Sequence, residues 1–244
     1  MWFVDVLQGL DSASLQLDDY CDPNLLQHLP FPFLGRVPSD RFSLDDHDRF
    51  RFYGRQQFRE IYDAVKSLKY RGTSRYYLQG TLGSGKSHIL AALTCLLMKE
   101  GHRVVYLPDC RALALDLFGY LQFALVLAYH GASETQAREY LERCQTIEQL
   151  TTFCVKASAD HRLLLIIDQA NALDPQDEAI DGITLEAKRD ARSLLDKITA
   201  RHLKLASATA NYQHGVADQY KQTGERRIHM YGGLTDVSPS CLLV

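Results

Sequence analysis

Short apolar segments alternate with longer segments of helical periodicity through most of the chain. The pattern predicts five strands, at 75–79, 103–108, 163–168, 203–208 and 227–231. Between them, helical patterns occur at 87–100, 111–129, 134–144, 147–157 and 184–200. Strands that alternate with helices predict a parallel sheet with right-handed crossovers. The expected fold class is therefore α/β, with three layers (α/β/α) and a five-stranded parallel sheet.

A further helical pattern precedes the first strand, where Phe58, Ile61 and Val65 recur at helical spacing. Prolines interrupt the segment 28–40, so no continuous helix is expected there. This segment is expected to lie on the domain as an arm, and a detachable linker is the alternative. The candidate anchors are Phe31, Phe33 and Leu34. The expected organisation is an N-terminal arm (1–40), a domain (41–236) and a C-terminal tail (237–244).

The composition fits one sizeable α/β domain, since the 244 residues are 46% hydrophobic and 23% charged. A net charge of −3 does not support nucleic-acid binding. The six cysteines form no C-x-x-C pair and no zinc spacing, which favours reduced thiols and an intracellular compartment. No apolar run approaches the ~18 residues of a membrane span. The N-terminus has no basic segment, so no signal peptide is expected.

Residues 80–87 read GTLGSGKS, which fits the phosphate-binding P-loop pattern G-x-x-x-x-G-K-[ST]. A predicted strand precedes the string and a predicted helix follows it, which is the context the motif needs. The glycines allow a tight turn that points backbone N–H groups at phosphates. Lys86 is expected to reach the β- and γ-phosphates of ATP, and the Ser87 hydroxyl to ligate Mg²⁺. The candidate nucleotide-binding residues are Gly80, Thr81, Leu82, Gly83, Ser84, Gly85, Lys86, Ser87 and His88.

A second nucleotide signal is the apolar run 163–167, which ends in Asp168 as a Walker B strand does. Asp168 is expected to hold the Mg²⁺ water shell beside Ser87. The next residue is Gln169, which can orient a water molecule but is a poor base. Asp174 is the alternative for activating the water, and Glu178 is a weaker one. Slow hydrolysis and a nucleotide-dependent switch both remain open.

The two motifs also predict the strand order. The P-loop, also called Walker A, follows the first strand, and the Walker B aspartate follows the third. This spacing suits the order 5-1-4-3-2, in which the fourth strand lies between the strands that carry the two motifs. Polar residues after the fourth strand then face the γ-phosphate. Asn211 is the candidate sensor and Thr209 the reserve, although Asn211 could instead cap the next helix.

Four further candidates each have a functional and a plain interpretation. Tyr53, Gly54 and Arg55 could contribute to an adenine pocket, or could be core and surface residues. Arg226 and Arg227 could supply an arginine finger, but a solvated basic pair is favoured. Glu186-Ala187-Lys188 resembles half of a metal-dependent nuclease site, but it falls in a helical pattern and is expected on a solvated helix surface. His88 is expected to pack or lie on the helix surface rather than to act in catalysis.

Taken together, the chain resembles the P-loop ATPase module of Crinkler effectors of fungi and oomycetes, which retrotransposon hot spot proteins of trypanosomes share. The strings that carry the resemblance are FPFLG (31–35), FYGR (52–55), YLQG through KSH (77–88), VYLPDC (105–110), IDQANALD (167–174), SATANY (207–212) and KQTG through YGGL (221–234). The resemblance covers about residues 31–235.

The resemblance implies an ATPase regulatory module, related to the STAND and AAA+ groups, that is secreted or acts inside host cells. A protein partner or self-association is left open. The sequence shows no pattern of a ubiquitin-like header or secretion motif before the module and no helical-lid pattern after Asp236, so a truncated member of the family is expected. The sequence therefore predicts an ATP-binding, Mg²⁺-dependent ATPase, with a non-hydrolysing switch as the alternative. A nuclease built on Glu186 and Lys188 is disfavoured. GTP in place of ATP stays an open alternative, although the sequence contains no N-K-x-D string to read guanine.

Overall fold

A computed structural model describes residues 15–69, 74–160, 162–174, 182–209 and 226–230. The strands are β1 (Leu26–Pro30), β2 (Arg49–Tyr53), β3 (Arg75–Gly80), β4 (Val104–Leu107), β5 (Leu164–Ile167), β6 (Leu203–Thr209) and β7 (Arg226–Met230). The α-helices are α1 (Leu17–Cys21), α2 (Gln57–Lys66), α3 (Lys86–Lys99), α4 (Cys110–Leu115), α5 (Leu117–Ala128), α6 (Thr135–Arg143), α7 (Ile147–Asp160) and α8 (Leu185–Thr199). Short 3₁₀ turns cover Ala132–Glu134 and Ala170–Leu173.

The main sheet is parallel, and its strands lie in the order β4-β5-β6-β3-β7. If the five strands of this sheet are numbered 1 to 5 along the chain, so that β3 is 1 and β7 is 5, the order read from the β7 edge is 5-1-4-3-2, as the sequence predicts. Gly80 at the end of β3 pairs with Thr209 of β6 and with Met230 of β7. The carboxyl ends of the strands therefore meet at one edge of the sheet, where open α/β sheets place their ligand sites.

The core follows from the apolar pattern of the central elements. β4 and β5 are buried along their whole length, because helices cover both faces of a parallel sheet. α3 is buried from Ile89 to Met98, so it packs on all sides rather than along one stripe. α2 instead buries one face, formed by Phe58, Ile61 and Val65, as the periodicity predicts.

The predicted single helix at 111–129 is wrong, because the structure divides it into α4 and α5. Asp116 ends α4 and takes a non-helical backbone conformation. Its carboxylate accepts the backbone N–H of Gly119 at 2.9 Å and so caps the start of α5. The apolar periodicity continues across this break, which is why periodicity alone joins the two helices.

The N-terminal segment packs on the domain through aromatic side chains. β1 pairs with β2 as an antiparallel two-stranded sheet. Phe31 and Phe33 are buried, as expected of anchors, and Leu34 is half-buried. The ring of Phe31 lies 4.8 Å from that of Phe42 and 6.1 Å from that of Phe50. The ring of Phe31 also lies 6.3 Å from that of Tyr106 on β4, so the cluster packs this segment against an edge strand of the main sheet.

His202 is a buried histidine that joins α7 to the start of β5. Its Nδ1 accepts the backbone N–H of Leu163 at 3.1 Å, and its Nε2 donates to the carbonyl of Cys154 at 2.8 Å. The two bonds fix the neutral ring, and burial lowers the pKa of His202. Protonation of this ring would break the bond to Leu163.

We expect His202 to make the protein less stable in acid. The unfolded chain takes up a proton near the ordinary histidine pKa of about 6.5, and the folded ring resists it. Its contribution is therefore full above about pH 6.5 and is lost as the pH falls below that value. Denaturant unfolding measures the free energy of unfolding at about pH 7 and at about pH 5. The decrease between the two pH values should be smaller for His202→Gln than for wild type. His47→Gln is the matched control, because His47 is exposed. An equal decrease in the free energy of unfolding in all three proteins would contradict the expectation.

Candidate functional site

The loop between β3 and α3 has the backbone of a phosphate cradle. Gly83 and Gly85 adopt φ values of +76° and +78°, which disfavour residues with a side chain. A Cβ on Gly80 would lie 2.8 Å from the carbonyl oxygen of Met230 on the neighbouring strand, so this position also needs glycine. The loop leads directly into the N-terminus of α3, whose free N–H groups favour an anion.

Lys86 is buried in this loop, with only 7% of its surface exposed. Its Nζ donates to the carbonyls of Gly80 and Thr81 at 2.7 Å each and to Oγ of Ser84 at 3.2 Å. Burial lowers the pKa of Lys86, and the charge of Asp168 opposes that shift. The loop thus holds the ammonium group within the turn that would surround the phosphates.

Asp168 follows β5 and is 1% exposed. Its Oδ1 accepts the backbone N–H of Gln169 at 2.9 Å and the hydroxyl of Ser207. Ser207 lies on β6, which runs between β3, the strand before Walker A, and β5, the strand that ends at the Walker B aspartate. This residue was not identified from the sequence. A serine within an apolar strand gives no signal by itself; only the strand order places it beside Asp168.

Arg41 is the second residue that sequence reasoning missed. Its Nη1 donates to Oδ2 of Asp168 and to the carbonyl of Pro108, both at 3.1 Å. Its Nη2 donates to Oδ2 of Asp109 at 2.9 Å. The contact joins residues 127 positions apart along the chain, so no local pattern could have predicted it.

Arg55 contacts the phosphate loop. Its Nη1 donates to the carbonyl of Ser84 at 2.6 Å, and its guanidinium lies against Gly85, where an added Cβ would overlap it. Burial lowers the pKa of Arg55, which is half-buried rather than solvated. Gly54 is buried beside it and Tyr53 is half-buried. The adenine pocket expected from these residues stays a prediction.

His88 packs in the first turn of α3. Its ring lies 4.6 Å from that of Phe42 and 6.1 Å from that of Phe50. Burial lowers the pKa of His88 to about 4, and the charges of Arg55 and Arg41 add to the shift. The ring is therefore neutral near pH 7, in agreement with the packing interpretation. Its neighbour Ser87 is half-buried at the start of the helix.

The candidates for activating water lie after β5 and β6. Gln169 is half-buried and has a φ of 54°, a left-handed backbone conformation that non-glycine residues rarely adopt. Asp174 is buried at the end of the 3₁₀ turn, where its N–H donates to the carbonyl of Asn171 at 3.0 Å. Thr209 ends β6, while Asn211 and Glu178 lie outside the described residues. The catalytic roles of these residues stay predictions.

The nuclease-like string lies on a helix, as expected, but not on a solvated surface throughout. Glu186 is exposed, whereas Lys188 is only 1% exposed on α8, so the prediction of a solvated Lys188 is wrong. A lysine in a helical pattern predicts a solvated position, but α8 places Lys188 on the face that is turned toward the core. Arg226 is exposed at the start of β7 and Arg227 is half-buried. The arginine-finger role is untested.

The residues present fit a hydrated Mg²⁺ beside a phosphate. The Ser87 hydroxyl and the Asp168 carboxylate offer the oxygen atoms that Mg²⁺ prefers. Within the described ranges, no group of three or more His, Cys, Asp and Glu residues could hold a metal ion. Mg²⁺ usually keeps several waters and takes further oxygen ligands from phosphates. Such a site therefore depends on a bound nucleotide for its completion.

In the part of the chain that the structure describes, no helix combines the length and the apolar character needed to cross a bilayer. No known family model matches the sequence, and no curated protein matches it.

Several solved structures are similar to the chain over part of their length. AMPPCP-bound DnaA from Aquifex aeolicus is 16% identical over 70% of this chain and 44% of that chain, with a TM-score of 0.41. C. elegans PCH-2 is 12% identical over 87% of this chain and 50% of that chain, with a TM-score of 0.40. The Aeropyrum pernix ORC2 protein, in ADPNP–ADP complexes, is 15% identical over 81% of this chain and 50% of that chain, with a TM-score of 0.39.

The chain thus spans half or less of the length of these structures. Similarities of this size add nothing to the assignment of the fold, which rests on the molecule itself. The sheet order, the glycine loop between β3 and α3, and the aspartate after β5 are the features that define it. The chain has the three-layer α/β/α fold of the P-loop NTPases.

Proposed function

We propose that this chain binds ATP with Mg²⁺ and hydrolyses the bond between the β- and γ-phosphates. One observation carries the proposal: the glycine loop with Lys86 and the buried carboxylate of Asp168 lie at the same edge of one parallel sheet. Phosphoryl transfer needs positioning and charge neutralisation more than covalent chemistry. An anion cradle beside a metal-binding carboxylate supplies both.

Each residue of the site has a distinct role in this proposal. The N–H groups of the loop 80–85 and of the first turn of α3 hold the β- and γ-phosphates. Lys86 exchanges its bonds to loop carbonyls for bonds to phosphate oxygens, and Ser87 and Asp168 hold Mg²⁺ and its waters. The bound Mg²⁺ neutralises charge on the phosphates. Asp174, Gln169 and Asn211 are the candidates for orienting the attacking water or sensing the γ-phosphate.

A nucleotide-dependent switch with little or no turnover is the second candidate function. The observation that favours it is Gln169 directly after Asp168. The amide of this side chain can orient water but accepts a proton poorly. In such a switch, bound ATP would change the surface offered to a protein partner or to a second copy of the chain.

The resemblance to the ATPase module of Crinkler effectors supports ATP rather than GTP. As part of this proposal, the module regulates a larger protein that acts inside a host cell, and its partner is a protein. The identification rests on the order of short strings such as FYGR at 52–55 and IDQANALD at 167–174. The resemblance therefore extends the proposed function from ATP binding and hydrolysis to regulation of a larger protein.

Calorimetric titration of the purified chain tests the binding half of the proposal. ATP, ADP and GTP are each titrated with Mg²⁺ and again with EDTA. We expect ATP to bind more tightly with Mg²⁺ than with EDTA, and more tightly than GTP. No binding of any nucleotide would contradict the proposal. A preference for GTP would leave the phosphate site in place but contradict the assignment of ATP.

A further inference from the structure

Arg41 lies on the carboxylate that the proposed function assigns to Mg²⁺. Its guanidinium bridges three acceptors, Oδ2 of Asp168, the carbonyl of Pro108 and Oδ2 of Asp109, at 2.9 to 3.1 Å. Its Nε also lies 3.3 Å from Oδ1 of the exposed Asp40. The side chain is 13% exposed, so the contact with Asp168 is well shielded from solvent.

The backbone beside Arg41 is fixed, which gives the guanidinium a defined place. Phe42 is buried and packs edge-on against Phe31 and Phe50, with ring centroids 4.8 and 5.5 Å apart. It also covers the ring of His88 in the first turn of α3. The backbone beside Arg41 is thereby anchored on the first turn of α3, while its guanidinium lies at the carboxyl ends of β4 and β5.

Both carboxylate oxygens of Asp168 already have partners within the protein. Oδ1 is bound by the backbone N–H of Gln169 and by the short side chain of Ser207, neither of which can move far. Oδ2 is bound by Arg41, a longer side chain that has three other acceptors in Asp40, Pro108 and Asp109. A water in the shell of Mg²⁺ could therefore reach Oδ2 most easily by replacing Arg41.

We propose that Arg41 and Mg²⁺ compete for Oδ2 of Asp168, so that Arg41 sets the metal dependence of nucleotide binding. The proposal rests on the proposed function and deepens it. Two cations on one carboxylate repel each other, and the carboxylate loses a charge-assisted hydrogen bond when the metal arrives. Arg41 keeps Asp109 and the Pro108 carbonyl after release. It is a positioning residue that acts through Asp168.

The chain offers variants that separate this role from a structural one. Arg41→Ala leaves Asp109 with three hydrogen bonds from Arg111 and leaves Asp168 with Ser207 and Gln169, so no buried carboxylate loses all its partners. Arg41→Lys keeps the positive charge but cannot bridge three acceptors at once. Arg111→Ala is the matched control, because Arg111 bonds Asp109 and Asp40.

The measured quantity is the ratio of the ATP dissociation constant in EDTA to that in saturating Mg²⁺. We expect this ratio to rise about tenfold in Arg41→Ala, as expected for one charge-assisted bond removed from competition. A smaller rise is expected in Arg41→Lys, and a change of less than about twofold in Arg111→Ala. Thermal unfolding of each variant shows whether it is folded. If Arg41→Ala does not fold, the ratio in Arg41→Lys decides.

An unchanged or lower ratio in the folded Arg41 variants would overturn the proposal. A lower ratio would mean that Arg41 supports the metal complex instead of competing with it, and equal weakening in both conditions would mean a structural role. Either result leaves the proposed function standing if wild type binds ATP more tightly with Mg²⁺. A wild-type ratio near one would overturn the metal role of Asp168 as well, so the two failures are distinguishable.

Discussion

Replacing Lys86 with alanine is expected to weaken ATP binding by about a hundredfold or more. Lys86 is the buried cation of the phosphate loop, and its ammonium group can make charge-assisted bonds to two phosphate groups. Losing about two such bonds costs about 3 kcal/mol, which is roughly a hundredfold in affinity. The change also leaves the carbonyls of Gly80 and Thr81 without the donor they have now. The effect should therefore be among the largest of any single substitution on binding.

The measurement is the ATP dissociation constant of Lys86→Ala in Mg²⁺, beside its thermal unfolding. Lys66→Ala is the matched control, because Lys66 is an exposed lysine at the end of α2 that pairs with Glu100, just after the last residue of α3. The control should bind ATP as wild type does, since exposed ion pairs contribute little. Wild-type affinity in a folded Lys86→Ala would show that the loop does not bind phosphate.

Replacing Gly54 with alanine is expected to destabilise the protein by about 3 kcal/mol, the upper range for forcing extra atoms into a packed site. A Cβ at this position would overlap the carbonyl oxygen of Asp22 and would lie 2.8 Å from its carbonyl carbon and amide nitrogen. These are backbone atoms, so no side-chain rotation can relieve the overlap. The turn after α1 would have to separate from the end of β2.

The same displacement should reach the phosphate loop. The N–H of Arg55 donates to the carbonyl of Tyr20 at 2.9 Å, and its guanidinium holds the carbonyl of Ser84. Moving Gly54 shifts the neighbouring Arg55, so ATP affinity should fall along with stability in Gly54→Ala.

Denaturant unfolding measures the free energy of unfolding of the Gly54→Ala variant, which is compared with that of the Gly131→Ala variant. Gly131 is a suitable control because a Cβ there would meet only ordinary contacts, the nearest at 3.6 Å. Its substitution should change stability by less than about 0.5 kcal/mol. Equal stabilities for the two variants would contradict the close backbone approach at Gly54.

The fold could be predicted from the sequence because its signals are local. An apolar run that ends in glycines or in an aspartate identifies a strand and also its carboxyl end. Walker A after the first strand and Walker B after the third suit an order with the fourth strand between them, and the sheet has that order. The break between α4 and α5 was missed, although Asp116 is a residue type that commonly caps helices.

Much of the site could not be predicted, because the contacts are distant along the chain. Arg41 and Asp168 are 127 residues apart, and Ser207 and Asp168 are 39 apart. An arginine before a phenylalanine and a serine in a strand have many plain explanations. Lys188 is a different case, since a lysine in an amphipathic helix is usually solvated and here it is buried. Tertiary packing decides all three positions.

Single-turnover hydrolysis of γ-labelled ATP tests the central claim most directly. The wild-type chain and Lys86→Ala are each mixed in excess with labelled ATP, with Mg²⁺ or with EDTA, and binding is measured in the same samples. Our account predicts release of labelled phosphate by wild type with Mg²⁺, and background release with EDTA or by Lys86→Ala. Tight binding of ATP by wild type without release of phosphate would contradict hydrolysis and select the nucleotide-dependent switch.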